Sequence, residues 1–342
     1  MSKGKDIPGS IRLLAIEPEG VSAGEVARHV GVTRQAAHYH LRRMVETGDL
    51  ERTGGGRSTR YRATADLDLR LPIAGLDESR VWHDVRDRTP ALVQARDNVR
   101  AILAYAFTEM VNNAIEHSGG TEVRVIFRAA DGRFAFEVHD DGIGAYRHLR
   151  ERFGLEDDLA ALQLLTRGKE TTSPDRHSGE GIFFTSRAVD RFELDANHLR
   201  WIVETSRADQ AVGDSPPHPG TRVRCRIAAD SPRSIAEVFA DYVDDGTLRF
   251  SRTVLPLRLF QPADGFIARA DADRVTTHLE RFEEVVLDFT GVTEVGQGFV
   301  DEVFRVWASA NPGTRLVPKG ASPIVDAVVR RAIRSIAGGA SG

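Results

Sequence analysis

The run Glu109-Met110-Val111-Asn112-Asn113-Ala114-Ile115-Glu116-His117 constrains the fold most, because it extends a long apolar helical pattern that begins at Ala101-Ile102-Leu103-Ala104-Tyr105-Ala106-Phe107. At about 3.6 residues per turn, Glu109, Asn113 and His117 stack on one face, and Asn112 is turned about 100° away. Three polar groups in one stripe on an otherwise apolar helix require a partner or a ligand. Two glycine clusters follow. Asp140-Asp141-Gly142-Ile143-Gly144 closes the alternating strand Arg133-Phe134-Ala135-Phe136-Glu137-Val138-His139, and Ser178-Gly179-Glu180-Gly181-Ile182-Phe183-Phe184 opens an apolar helical pattern through Val189. Either cluster alone marks a loop; the three pieces in this order and spacing point to a site.

Over about residues 80–228 this order resembles the GHKL nucleotide-binding domain shared by gyrase, heat-shock chaperones, histidine kinases and mismatch-repair ATPases. Glu109 to His117 is most similar to the bacterial anti-sigma serine kinase branch. The resemblance implies ATP and magnesium (Mg2+) as cofactors. It makes Asn113 the magnesium ligand and Asp140 the acceptor for the adenine amino group. Gly142 and Gly144 would admit base and ribose, and Gly179 and Gly181 the phosphates. Residues 146–177 would include the nucleotide lid, with Lys169 and Thr171 as phosphate contacts. These residue types suit the chemistry: magnesium takes oxygen ligands and keeps waters, glycine permits close approach, and a helix N-terminus favours phosphate. Glu109 matches the position that activates water or a hydroxyl in catalytic members, yet the same carboxylate can hold His117 or a lid amide. An enzyme and a nucleotide sensor both stay open.

Residues 1–64 carry 11 Lys/Arg against 7 Asp/Glu, whereas the whole chain has a net charge of -4. A basic end on an acidic chain points to nucleic acid. Within it, Ile11 to Ile16 reads as a helix and Ser22 with Glu25 as a capping box for a second, Ala23 to Val30. Gly31-Val32 makes a turn, and Thr33 caps a third helix to about Thr47. Strands Leu50-Glu51-Arg52-Thr53 and Arg60-Tyr61-Arg62-Ala63 then flank a glycine-rich loop. The pattern resembles a winged helix-turn-helix over about residues 7–64, which implies double-stranded DNA as partner. Arg34, Gln35 and His38 are the expected base contacts, and Arg57, Arg60 and Arg62 on the wing the expected phosphate contacts. A winged fold that mediates protein contacts is the alternative.

The expected architecture is a multidomain α/β chain: winged helix at 1–64, linker at 65–79, GHKL α/β sandwich at 80–228 and a small α/β domain at 234–342. In the last, Leu287-Asp288-Phe289-Thr290-Gly291-Val292-Thr293-Glu294-Val295 resembles the centre of STAS domains. The stretch Gly296-Gln297-Gly298-Phe299 stands where antagonists of that fold carry a phosphorylated Asp-Ser-Ser-Gly, so phosphorylation at that point is disfavoured. His83, in Trp82-His83-Asp84, lies only about 30 residues before Asn113 and reads as a surface residue, not a phospho-accepting histidine. The lone Cys225 and the lack of an apolar run of 18 residues suggest a cytoplasmic protein without a membrane span. The leading expectation is an ATP-responsive transcription regulator, with a protein partner at the STAS-like module and a homodimer on paired half-sites. The alternatives are an anti-sigma-type serine/threonine protein kinase acting on a separate partner, and a scaffold with permanent nucleotide.

Overall fold

In the computed structural model the described residues are 7–16, 19–130, 132–168, 180–243, 250–262 and 265–339. They sort into two compact units. The first comprises Met1–His148, Thr185–Asp209 and Gly213–Ile235; the second comprises Leu149–Phe184, Gln210–Val212 and Ala236–Gly342.

The first unit begins with α1 (Ile7–Ala15), α2 (Ala23–Val30), α3 (Arg34–Glu46) and the wing strands β1 (Leu50–Thr53) and β2 (Arg60–Ala63). Helix α1 starts before Ile11 because a proline at the second position of a helix costs no internal hydrogen bond. Ser22 Oγ accepts from the Glu25 N–H at 3.3 Å while the Glu25 carboxylate accepts from the Ser22 N–H at 2.7 Å, so the capping box is complete. Gly31, at φ +73°, ends α2, and Thr33 Oγ1 caps α3. Ile11, Val26, Ala37 and Leu41 are fully buried between the three helices.

Only Thr64 to Asp66 separate β2 from β3 (Leu67–Pro72). The segment read as a linker therefore contains an edge strand of the central sheet, paired antiparallel with β4 from Leu67↔Phe127 to Pro72↔Glu122. Next come α4 (Glu78–Arg88), α5 (Ala91–Gln94), α6 (Asp97–His117), β4 (Glu122–Ala130), β5 (Arg133–Asp140), α7 (Ala145–Phe153), α8 (Asp158–Arg167), α9 (Gly181–Ala188), β6 (Arg191–Ala196), β7 (Leu199–Glu204), β8 (Asp209–Asp214) and β9 (Thr221–Ala228). The sheet order is β3-β4-β5-β9-β6-β7-β8. Strands β6 and β8 were not legible beforehand.

Strand alternation gives this sheet two unlike faces. Val123, Val125, Phe127, Phe136, Val138 and Val223 are buried on the face that α6 crosses over β5 and β9. Cys225 lies on the same face, and burial pushes its thiol pKa well above the usual range. The opposite face is ionic. Asp195, fully buried, accepts from Arg200 at 2.6 and 3.2 Å and from Arg224, which is 4% exposed and also meets Glu193 at 2.8 Å. The winged helix lies against this face. Glu19, before α2, pairs with Arg200 at 3.0 Å and Arg224 at 3.8 Å; the buried Arg128 donates to the Ala63 carbonyl at 3.0 Å and pairs with Glu51 at 3.5 Å.

In the second unit, Asp157 caps α8, and Phe183 and Phe184 pack with Phe239, Tyr242 and Phe250. The remaining elements are α10 (Ile235–Ala240), β10 (Arg252–Pro256), α11 (Arg269–Thr276), β11 (Glu284–Asp288), α12 (Gln297–Asp301), α13 (Ala308–Ala310), β12 (Arg315–Lys319) and α14 (Pro323–Gly339). Strands β10, β11 and β12 form a parallel sheet, of which β10 had not been read. A π-helical stretch, Glu302–Trp307, joins α12 to α13. The Arg167 guanidinium donates to the carbonyls of Arg274 (3.0 Å), Val275 (3.1 Å) and Thr277, closing the end of α11.

Candidate functional site

Helix α6 runs unbroken for 21 residues, and Glu109, Asn113 and His117 are all half-buried on it, as the periodicity required. Asn113 Nδ2 is buried and makes no hydrogen bond among the described residues. A buried N–H without an acceptor is costly, and what it lacks is an acceptor such as a phosphate oxygen, whereas the amide oxygen is the atom a magnesium ion would take. Ser118, just past α6, is the hinge of the site: its carbonyl accepts from the Ile143 N–H at 2.9 Å, tying the helix to the loop after β5.

Asp140 ends β5, 5% exposed. Its Oδ1 accepts from the Gly142 N–H at 2.9 Å and the Thr221 N–H at 3.1 Å, and Oδ2 has no hydrogen bond among the described residues. Burial raises its pKa above the usual carboxylate value, outweighing the two backbone hydrogen bonds, and the neighbouring Asp141 adds to the rise. Asp141 points elsewhere and accepts from Glu122 N–H and from Thr121 N–H and Oγ1, which hold its pKa down at about 2.

The glycines have a sharper reason than access for a nucleotide. A Cβ on Gly142 would overlap the Ser118 carbonyl, and one on Gly144, which sits at φ +89°, would overlap the Asn197 side chain. Asn197 was not singled out in the sequence. It lies with His198 at the tip of the β6–β7 hairpin, both at positive φ as a two-residue turn demands. Its Oδ1 accepts from the Arg147 N–H at 3.0 Å and its Nδ2 donates to the Ile143 carbonyl at 2.9 Å. Asn197→Gly keeps the turn but removes both bonds. The expected result is a loss of about 1–1.5 kcal/mol of loop ordering, seen as faster amide exchange over residues 142–147, with a melting temperature near wild type; amide hydrogen exchange and a thermal melt check the two parts.

Gly181 is the first residue of α9. Lys169, Thr171 and Gly179 lie outside the described residues. His83 is exposed on α4.

On the winged helix, Arg34, Gln35 and His38 are exposed along the first turns of α3. Gln35 and His38 line a concave surface of about 670 Å³ together with Tyr39, Arg42, Arg52 and Thr59. Tyr39, 61% exposed, and Arg52, which faces Tyr61 across the wing, are additions to the expected contacts. Two expected wing contacts are placed otherwise. Arg60 donates to the Glu25 carboxylate at 2.6 Å; the capping bond from the Ser22 N–H, and after it Arg60, lower the carboxyl pKa. Arg62 lines a separate cleft that also reaches the ionic face of the sheet. The reason is the period of two: Tyr61 and Ala63 are buried in the winged core, so their neighbours turn the other way. For Arg57 only the backbone, in the short 3₁₀ turn Gly56–Ser58, is described.

Comparison with known proteins bears on both sites. Residues 11–53 match the model of a helix-turn-helix domain, residues 75–204 that of a histidine kinase-like ATPase domain, and residues 271–326 that of a STAS-like domain of unknown function. No curated protein matches the chain. Among solved structures, a chain titled "Crystal structure of IcIR transcriptional regulator from Alicyclobacillus acidocaldarius" is 13% identical, covering 69% of this chain and 93% of that one at a TM-score of 0.20. A TM-score that low carries no argument. The chain thus joins a helix-turn-helix, a histidine kinase-like ATPase domain and a STAS-like domain, a combination that supports a DNA-binding regulator with an ATPase module. No helix among the described residues is long and apolar enough to cross a membrane.

Proposed function

We propose that the protein is a cytoplasmic transcription regulator that binds ATP with magnesium and adjusts how its winged helix meets DNA. The observation that carries this reading is the pairing of Asp140, buried with one carboxylate oxygen left over, with an uncommitted Asn113 on the helix that Ser118 ties to the same loop. Asn113 would hold magnesium through its amide oxygen, and the ion would neutralise phosphate charge when bound. ATP controls DNA binding only if it favours one arrangement of the chain over another.

Fluorescent ATP should bind the wild type more tightly with magnesium than without, and Asn113→Ala should remove that difference. ATP should then change the affinity of the protein for its operator. Binding that is absent from the wild type would sink the nucleotide reading.

The DNA surface makes its own prediction. Gln35→Ala and His38→Ala should each cost about 1–3 kcal/mol of specific affinity. Arg52→Ala should reduce the slope of log affinity against log salt by about 0.9, whereas Arg60→Ala should leave that slope unchanged because its charge is taken up by Glu25. Gel-shift titrations at several salt concentrations decide it.

The placement of Glu109 one turn before Asn113 on the same face favours a second reading, a serine/threonine protein kinase acting on a separate partner. Phosphate transfer that Glu109→Gln abolishes would establish it.

A further inference from the structure

The cleft that Arg62 enters has a volume of about 530 Å³ and lies between the winged helix, which contributes Glu19 and Arg62, and the ionic face of the central sheet, which contributes Arg222, Arg224 and His139. Three of the arginines that line it, Arg62, Arg222 and Arg224, each have a buried Nε with no hydrogen-bond partner among the described residues. Arg224 spends its terminal nitrogens on Glu19, Glu193 and Asp195. Arg222 reaches one acid, Glu137, at 3.7 Å, and the Arg62 side chain has no ion pair or hydrogen bond among the described residues. Of the five acids that line the cleft, Glu19 is engaged by Arg200 and Arg224, Glu122 by Arg70, Glu137 by Arg222, and Asp141 by Thr121 and the Glu122 backbone; Asp140, at the end of β5, spends Oδ1 on two backbone N–H groups. A buried N–H left without an acceptor is expensive, and three of them on arginines around one cavity leave room for a further acceptor there.

We propose that this cleft binds a small oxyanion, a polycarboxylate or a phosphate, gripped by Arg62 from the wing and Arg222 from the sheet. Guanidinium forks suit both chemistries, and the volume admits a ligand of metabolite size. The local field agrees. Burial first and then Arg222 lower the pKa of His139, and burial first and then Arg62 lower that of Arg128, so each of the two grips acts on a neighbouring cation. Because the two grips belong to different modules, the bound anion fastens the winged helix to the sheet.

The test uses the full-length protein without nucleotide. Inorganic phosphate and, separately, citrate are titrated by calorimetry and by thermal melting at constant ionic strength, with sodium chloride as the control. The expected result is saturable binding by at least one of them, with a matching rise in melting temperature, and the better ligand identifies the source chemistry. Arg62→Gln and Arg222→Gln should each weaken binding at least tenfold, and Arg62→Lys should retain part of it, which separates lost binding from lost folding. Binding should persist in saturating ATP and magnesium. An anion displaced by ATP and indifferent to Arg62→Gln would sit elsewhere and overturn the proposal, as would the absence of saturable binding. Asp140 borders this cleft as well as the nucleotide site, so anion binding that survives Asp140→Asn separates the two readings.

Discussion

Asp140→Asn is expected to lower ATP affinity by about 10–100-fold while leaving the loop in place. The wild-type carboxylate divides its work between two oxygens: Oδ1 holds the Gly142 and Thr221 N–H groups, and Oδ2 remains for the adenine amino group. Asparagine keeps the first oxygen and replaces the second with an NH2, so a donor would face a donor. Losing a hydrogen bond to a charged group costs about 1.5–3 kcal/mol, which sets the range. A GTP control should show no comparable loss, since the base it presents carries a carbonyl there. An Asp140→Asn protein that binds ATP like the wild type would remove this carboxylate from the site.

The same residue imposes a pH dependence of opposite sign on folding and on binding. Its folded pKa is raised, chiefly by burial, so its contribution to stability is full below the unfolded value and is lost as pH rises through the folded value. Base recognition needs the ionised form. ATP affinity should therefore fall as pH drops through that raised pKa, under conditions where this group alone would make the empty protein more stable. Titrations across the acidic range, paired with melts, test the two signs.

The second large effect concerns the ionic face. Asp195→Ala should destabilise the first unit by about 3–5 kcal/mol, because it leaves Arg224 and Arg200 short of their buried acceptor. Urea unfolding followed by tryptophan fluorescence should show the midpoint falling by at least about 1 M. Trp201 is a suitable reporter, being fully buried in β7 opposite Leu194, next to Asp195. A shift worth less than about 1 kcal/mol would mean that Glu193 and Glu19 can carry both arginines alone.

The fold was legible wherever a local rule decided it. Ser22 and Glu25 marked their capping box, and both wing strands fell at the residues where alternation put them. The placement of Asn113 on a polar stripe of α6 and of Asp140 at the end of β5 was legible because helical period and strand ending are written in neighbouring residues; their roles came from the family resemblance. What escaped depends on partners far along the chain. That Gly142 and Gly144 have no room for a Cβ follows from Ser118 and Asn197, 24 and 53 residues away respectively, a constraint that stands beside any role toward a nucleotide. β10 showed too few alternating positions to stand apart before β11 pairs with it. Arg60 and Arg62 were read by charge alone; the burial of Tyr61 and Ala63 decides which way they face, and that alternation was already visible in the sequence.

The three residues between β2 and β3 have a consequence for any operator. Three extended residues span at most about 10 Å, so the recognition helix cannot swing on a tether to search for a distant contact. It is carried like a blade fixed to its handle. If two copies act together, the separation of the sequences they read would be dictated by how the ATPase domains meet, and inserting a few base pairs between half-sites would be punished, because no slack exists to absorb them.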